Sequence, residues 1–180
     1  MKLSILTDEI SPDPARAIEL ASSWQVPYIE LRGLAGGRFP RVPDDELTTF
    51  CKMVRDAGLQ VSGVSPGLCK CPVDDPSVEP DLAELLPRAC EWALRLGTDR
   101  VSAFAFRRDE SNEIPAAVID RLGEMAHNTA ANGCRLVLEN EAVCWGATGA
   151  EAAVLIRRVA SPHLSLLWDP GNSAMAGAPC

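Results

Sequence analysis

No apolar run in this sequence approaches the roughly 20 residues that a bilayer-spanning helix needs. The opening Met1-Lys2-Leu3-Ser4-Ile5-Leu6-Thr7-Asp8 meets an acidic residue too early for a secretory leader. The chain is therefore expected to be cytoplasmic, with no membrane partner. Basic clusters are also missing. The 17 Lys and Arg are interspersed among 25 Asp and Glu, for a net charge of -8, so no surface is built to follow a phosphate backbone and nucleic acid is not an expected partner. Cys69-Lys70-Cys71 lacks a second Cys or His pair at zinc spacing and reads as a loop with two thiols. Cys51, Cys90 and Cys134 lie in apolar stretches, where a thiol packs as a small hydrophobe. A Gly-x-Gly-x-x-Gly turn is absent after the first apolar run. Thr7-Asp8-Glu9-Ile10-Ser11 stands there instead, which argues against an open dinucleotide-binding sheet.

What is present is an ordinary domain composition, 47% apolar and 23% charged, which fits a single domain over residues 1–180. Its organisation is a repeated strand-helix unit. Leu3 to Leu6 is an apolar strand; Ser11-Pro12-Asp13-Pro14 then offers an N-cap and first-turn prolines, and Ala17, Leu20, Ala21 and Trp24 form one helical stripe. Tyr28 to Leu31 is the second strand, followed across a glycine-rich loop by the stripe Leu47, Phe50, Cys51 and Val54, closed by Gly58. Leu59 to Val64 is the third strand, and the helix carrying Leu82, Leu86, Ala89 and Ala93 ends at Gly97. Arg100 to Phe106 is the fourth, with Val118, Leu122, Met125 and Thr129 on its helix. Cys134 to Asn140 is the fifth, followed by Ala152, Leu155, Ile156 and Val159, and Leu164 to Trp168 is the sixth, with no helix visible after it.

Strands spaced by about 25 to 40 residues are too far apart for hairpins and suit helical crossovers between parallel strands. Polar residues recur where these strands end: Asp8 and Glu9, Glu30 and Arg32, Ser65, Glu139 and Asn140, Asp169 and Asn172. Several strand ends contributing to one mouth is the pattern of a parallel barrel. The fold expected is α/β, of the (β/α)8 TIM-barrel type, with about six of the eight units present.

Leu136 to Glu141 runs apolar and then acidic; Leu166-Leu167-Trp168-Asp169-Pro170-Gly171-Asn172 does the same on the next strand. If the fifth strand persists, Glu139 and Glu141 face one way and Asn140 the other. Neighbouring strands lie about 4.8 Å apart, so Glu139 and Asp169 at one level would repel unless a cation joins them. Oxygen ligands favour Mg or Mn, and added imidazole would admit Zn or Co. The alternative is that either acid caps the following helix. Ser65-Pro66-Gly67 reads as turn chemistry, with no base nearby to make the serine a nucleophile.

The Leu-Glu-Asn segment at 138–140 and the Trp-Asp-Pro-Gly-Asn segment at 168–172 resemble the fifth- and sixth-strand motifs of the xylose-isomerase-like barrels. Leu3 to Ser11, Ile29 to Arg32 and Leu59 to Ser65 are also similar to that family, so the resemblance runs along the whole chain. It implies a divalent-metal-dependent sugar isomerase or epimerase that abstracts a proton beside a carbonyl through an enediolate. The implied metal ligands are Glu139 and Asp169, with Glu139 also catalytic. The family's remaining histidine and glutamate ligands would follow Cys180. His127, in a predicted helix, and His163, before the sixth strand, do not replace them.

Glu30, Arg32, Glu141, Trp145 and Asn172 are the candidate substrate-binding residues, for a sugar or polyol. Trp145 could equally cover the rim, and Glu30 could pair with Arg32. A complete barrel takes about 250 residues, so the chain is expected to be C-terminally truncated, inactive by itself, with the first and last strands unpaired and apolar interior exposed. A partner chain or second copy could cover that edge. A metal-free sugar-binding barrel is the competing class. An endonuclease IV-like hydrolase is disfavoured by two histidines and an acidic surface.

Overall fold

The computed structural model describes residues 3–111 and 113–177. The elements run β1 (Ser4–Leu6), α1 (Thr7–Ile10), α2 (Pro14–Ser23), β2 (Tyr28–Leu31), β3 (Gly33–Leu34), β4 (Gly37–Arg38), α3 (Asp44–Asp56) and β5 (Gln60–Leu68). After β5 come α4 (Val78–Pro80), a π-helical stretch (Asp81–Leu85), α5 (Leu86–Arg95), β6 (Arg100–Ala103), α6 (Ala116–Ala131), β7 (Arg135–Glu139), α7 (Gly149–Val159), β8 (Leu164–Leu167) and α8 (Pro170–Met175).

Local chemistry explains the helix starts. The Asp13 carboxylate accepts from the Ala15 amide at 3.0 Å while Pro14 fills the first turn of α2. α7 opens with a capping box: Thr148 accepts from the Glu151 amide, and the Glu151 carboxylate accepts from the Thr148 amide. Thr148→Ala should cost about 1 kcal/mol of stability, read as a lower urea midpoint at unchanged slope.

β1, β2, β5, β6, β7 and β8 form one parallel sheet in that order, so each crossover helix advances the chain by one strand. Ile29, Leu31, Val61, Val101, Leu136 and Leu138 are buried on its helix-covered side. Among the described residues no ladder joins β1 to β8, so both are edges. The other face was expected to expose apolar surface. Part of it is polar instead: strand alternation turns Ser4, Ser62, Ser102 and Ser165 toward the open interior. Leu166 and, just past β8, Trp168 remain exposed at the free edge.

Four local expectations are corrected. α8 follows β8, because Pro170 fits a helical first turn and the Asp169 carboxylate caps it. The fourth strand ends at Ala103 rather than Phe106, whose φ of 62° cannot extend a strand. Ser65-Pro66-Gly67 lies within β5 rather than forming a separate turn. From Val64 to Leu68, β5 advances four residues while β6 advances two, so this stretch bulges from the ladder. The third helix is broken by its π-helical turn ahead of Pro87.

Candidate functional site

The carboxyl ends of the sheet strands surround a cavity of about 630 Å³. Glu30, Arg32, Glu139, Glu141, Asp169 and Asn172 line it, so six of the seven residues singled out in the sequence are brought together. Trp145 is not. It is buried, its amide donates to the Phe106 carbonyl at 3.0 Å, and the Arg108 guanidinium sits 4.9 Å from its ring centre. Its place follows from the loop after β6 pairing with the loop after β7, as Arg107 bridges Cys144. His127 lies in α6, and His163 precedes β8 at the opposite end of the sheet from the cavity. Six cysteines are free thiols, and Cys180 lies outside the described residues.

Glu139 and Asp169 do not leave the sheet at one level, as the sequence suggested. The ladder pairs Glu139 with Leu167, and Asp169 follows two residues later. The two charges still meet. Burial chiefly, then the charges of Asp169, Glu30 and Glu141, raise the Glu139 pKa from its ordinary 4.5 to about 7, against an opposing pull from Lys70. Glu30 is raised as well, by burial, with the Arg32 charge opposing.

Asp169 is held by groups the sequence did not single out as supports. The fully buried Asn140 side chain accepts from the Asp169 amide at 2.7 Å and donates to the Asp169 carbonyl at 2.8 Å. The Asn172 side-chain amide donates to the Asn140 carbonyl at 2.9 Å. The Asp169 carboxylate accepts from the Asn172 backbone amide at 2.9 Å, so one oxygen caps α8. Capping and cation binding are not exclusive, because a carboxylate has about four lone-pair sites.

The rim carries its own ion pairs. Arg32 bonds Asp8 at 2.8 Å and Glu9 at 2.6 Å rather than Glu30. Lys70 pairs with Glu141 and stands 4.8 Å from the Phe104 ring centre. Asp8 keeps its other oxygen, Oδ1, buried without a hydrogen-bond partner. Arg38, at the end of β4, also lines the cavity and was missed in the sequence.

Two carboxylates facing a partly desolvated cavity are hard oxygen donors and fit a divalent cation as part of its coordination. Among the described residues, no group of three or more His, Cys, Asp or Glu side chains is placed to hold a metal ion.

Residues 18–179 match the family described as xylose isomerase-like TIM barrel. No curated protein matches the chain. Among solved structures, the probable 3-DHS dehydratase involved in petrobactin synthesis from Bacillus anthracis superposes with a TM-score of 0.77 at 18% identity, over 99% of this chain and 66% of that one. The D-allulose 3-epimerase from Methylomonas sp. gives 0.77 at 19% identity, over 97% and 65%. An L-ribulose 3-epimerase gives 0.71 at 21% identity, over 97% and 63%. At such identities these likenesses establish the fold, and the chain spans a little under two thirds of each structure.

Proposed function

Because the chain belongs to the xylose isomerase-like TIM barrel family, we propose that it carries part of the active site of a divalent-metal-dependent isomerase or epimerase acting on a sugar or a related hydroxy-carbonyl compound. The observation that carries this reading is the meeting of Glu139 and Asp169 in one cavity. Glu139 and Asp169 would hold the cation, drawn from Mn, Mg, Co or Zn. When bound, that cation polarises the substrate's oxygens and offsets the charge that develops as the proton leaves.

Glu139 is the residue that would hold or move a proton, taking it from the carbon beside the carbonyl. Asn140 and Asn172 keep the Asp169 backbone in place, so its carboxylate meets the cavity without a search. Lys70 and Arg32 hold Glu141 and Glu9 on the rim. The distant relatives include a D-allulose 3-epimerase solved with D-allulose and a D-psicose 3-epimerase solved with D-fructose, which supports a sugar-sized ligand.

Manganese titration followed by thermal melting tests the reading. At a concentration 100-fold above Kd, the cation should stabilise the chain by about 2.7 kcal/mol. That is a rise of roughly 5–10 °C for a chain of this size. The double variant Glu139→Gln with Asp169→Asn should lose the rise. If the wild-type chain gains nothing from Mn, Mg, Co or Zn yet is stabilised by D-fructose, a metal-free binding barrel replaces the enzyme reading.

A further inference from the structure

Four cationic side chains line the cavity, and three are neutralised. Arg32 is paired with Asp8 and Glu9, Arg41 with Asp81 at 2.9 Å, and Lys70 with Glu141. Arg38 makes no ion pair among the described residues, yet it is not a loose surface side chain. Its Nε donates to the Ser65 carbonyl at 3.2 Å and its Nη2 to the Ser65 hydroxyl at 3.3 Å. The Gly67 backbone lies under the same guanidinium: a Cβ there would fall 2.9 Å from Nη2, and the φ of 74° suits glycine. Arg38 ends β4 of the β3–β4 hairpin, and the next residue, Phe39, is fully buried, so the hairpin is anchored just where the guanidinium leaves it. The β5 bulge, which carries Ser65 and Gly67, completes the cradle.

We infer that Arg38 is an oxyanion-recognising residue, and that the ligand of this cavity is an acidic polyhydroxy compound bearing a carboxylate or a phosphate rather than a neutral sugar. This rests on the sugar-enzyme reading and narrows its substrate class. Two groups lining the cavity are then complementary: the carboxylates of Glu139 and Asp169, which form no ion pair among the described residues, would take a cation, and the Arg38 guanidinium takes the ligand's charged group. Three N–H positions of Arg38 remain beyond the two bonded to Ser65, enough for the forked contact that a planar oxyanion accepts. Partial burial, with the nearby charges of Arg32 and Arg41, pulls the Arg38 pKa down, against Asp8 and Glu139. An arginine remains charged despite such a shift, so an incoming anion removes an existing electrostatic cost.

Calorimetric titration with D-gluconate, D-fructose 6-phosphate and neutral D-fructose, each with and without manganese, tests this. At least one acidic ligand should bind roughly tenfold or more tighter than D-fructose, the gain expected of a charge-assisted hydrogen bond. Preference for gluconate assigns the carboxylate, and preference for the 6-phosphate assigns the phosphate. Arg38→Gln should erase the preference, and Arg38→Lys should keep part of it, since charge survives and the fork does not. Arg16→Gln, which alters a distant surface arginine, should leave it intact. Equal binding of all three ligands, binding of none, or a preference undiminished in Arg38→Gln overturns the inference. Manganese binding is read in the same titrations: metal bound without anion preference sinks this inference alone, and anion preference without metal sinks the metal reading alone.

Discussion

Replacing Glu139 with glutamine should make the chain more stable at neutral pH and leave it unable to respond to manganese. In the folded chain Glu139 titrates at about 7 instead of 4.5, so between those values the folded state keeps a proton that the unfolded state has released. Stability then falls as pH rises from about 4.5 to about 7, and levels off above. The shift corresponds to about 3 kcal/mol at its largest. Glu139 is partly open to the cavity, so solvent screening reduces the expected effect to about 1–2 kcal/mol.

Urea unfolding at pH 5 and pH 8 checks this. The wild-type chain should lose that amount over the interval beyond any loss shown by Glu139→Gln, and the variant should be the more stable of the two at pH 8. Saturating manganese should flatten the wild-type dependence, because a nearby dication favours the ionised carboxylate. Parallel pH profiles for wild type and variant would show that Glu139 carries no such burden. Stability gained with cation response lost is the expected signature of a residue kept for chemistry at a cost to folding.

Asn140→Ala is expected to cost about 3–5 kcal/mol, because it strips buried partners from three backbone groups at once. The Asp169 amide, the Asp169 carbonyl and the Ala147 carbonyl all bond the Asn140 side chain, which is fully buried. A methyl group takes the side-chain partner from the Asp169 amide and the Ala147 carbonyl, and leaves the Asp169 carbonyl with the Ser173 amide at 3.2 Å. Asn140→Asp should be as harmful at pH 8 for a different reason: one acceptor survives, but an oxygen replaces the donor to two carbonyls, and a third negative charge joins Glu139 and Asp169. Part of that loss should return near pH 5, where the new carboxyl can hold a proton and donate again. Urea midpoints at unchanged slope measure both variants. A loss under about 1 kcal/mol for Asn140→Ala would mean that water replaces the amide, and that Asn140 does not position Asp169.

The site was legible where period and composition agree. β7 runs Arg135-Leu136-Val137-Leu138-Glu139, with Leu136 and Leu138 buried against the helices, so alternation turns Glu139 to the other side, into the cavity. Asn140 was legible as a direction but not as a support, because its partners, Asp169 and Ala147, are set by how the two loops meet. Trp145, buried and away from the cavity lining, could not be placed from sequence, since nearness to a strand end does not tell the packed inside of a loop from its cavity side. Arg38 left almost no local signal: its hairpin has two residues on each strand, and the β5 bulge that receives it is 27 residues away.

Chain chemistry alone determined the six strands, their parallel order through helical crossovers and the polar strand ends that gather at one mouth. Those follow from interactions within a few residues and from the two periodicities of backbone structure. Tertiary structure alone decided the two-residue offset of Asp169 beyond Glu139, the exclusion of Trp145 from the cavity, the serines on the open face and the unpaired charge of Arg38. Each depends on register between strands, or on the order in which charges find partners across loops. Coulombic pairing is settled by distance in space, which sequence separation does not record.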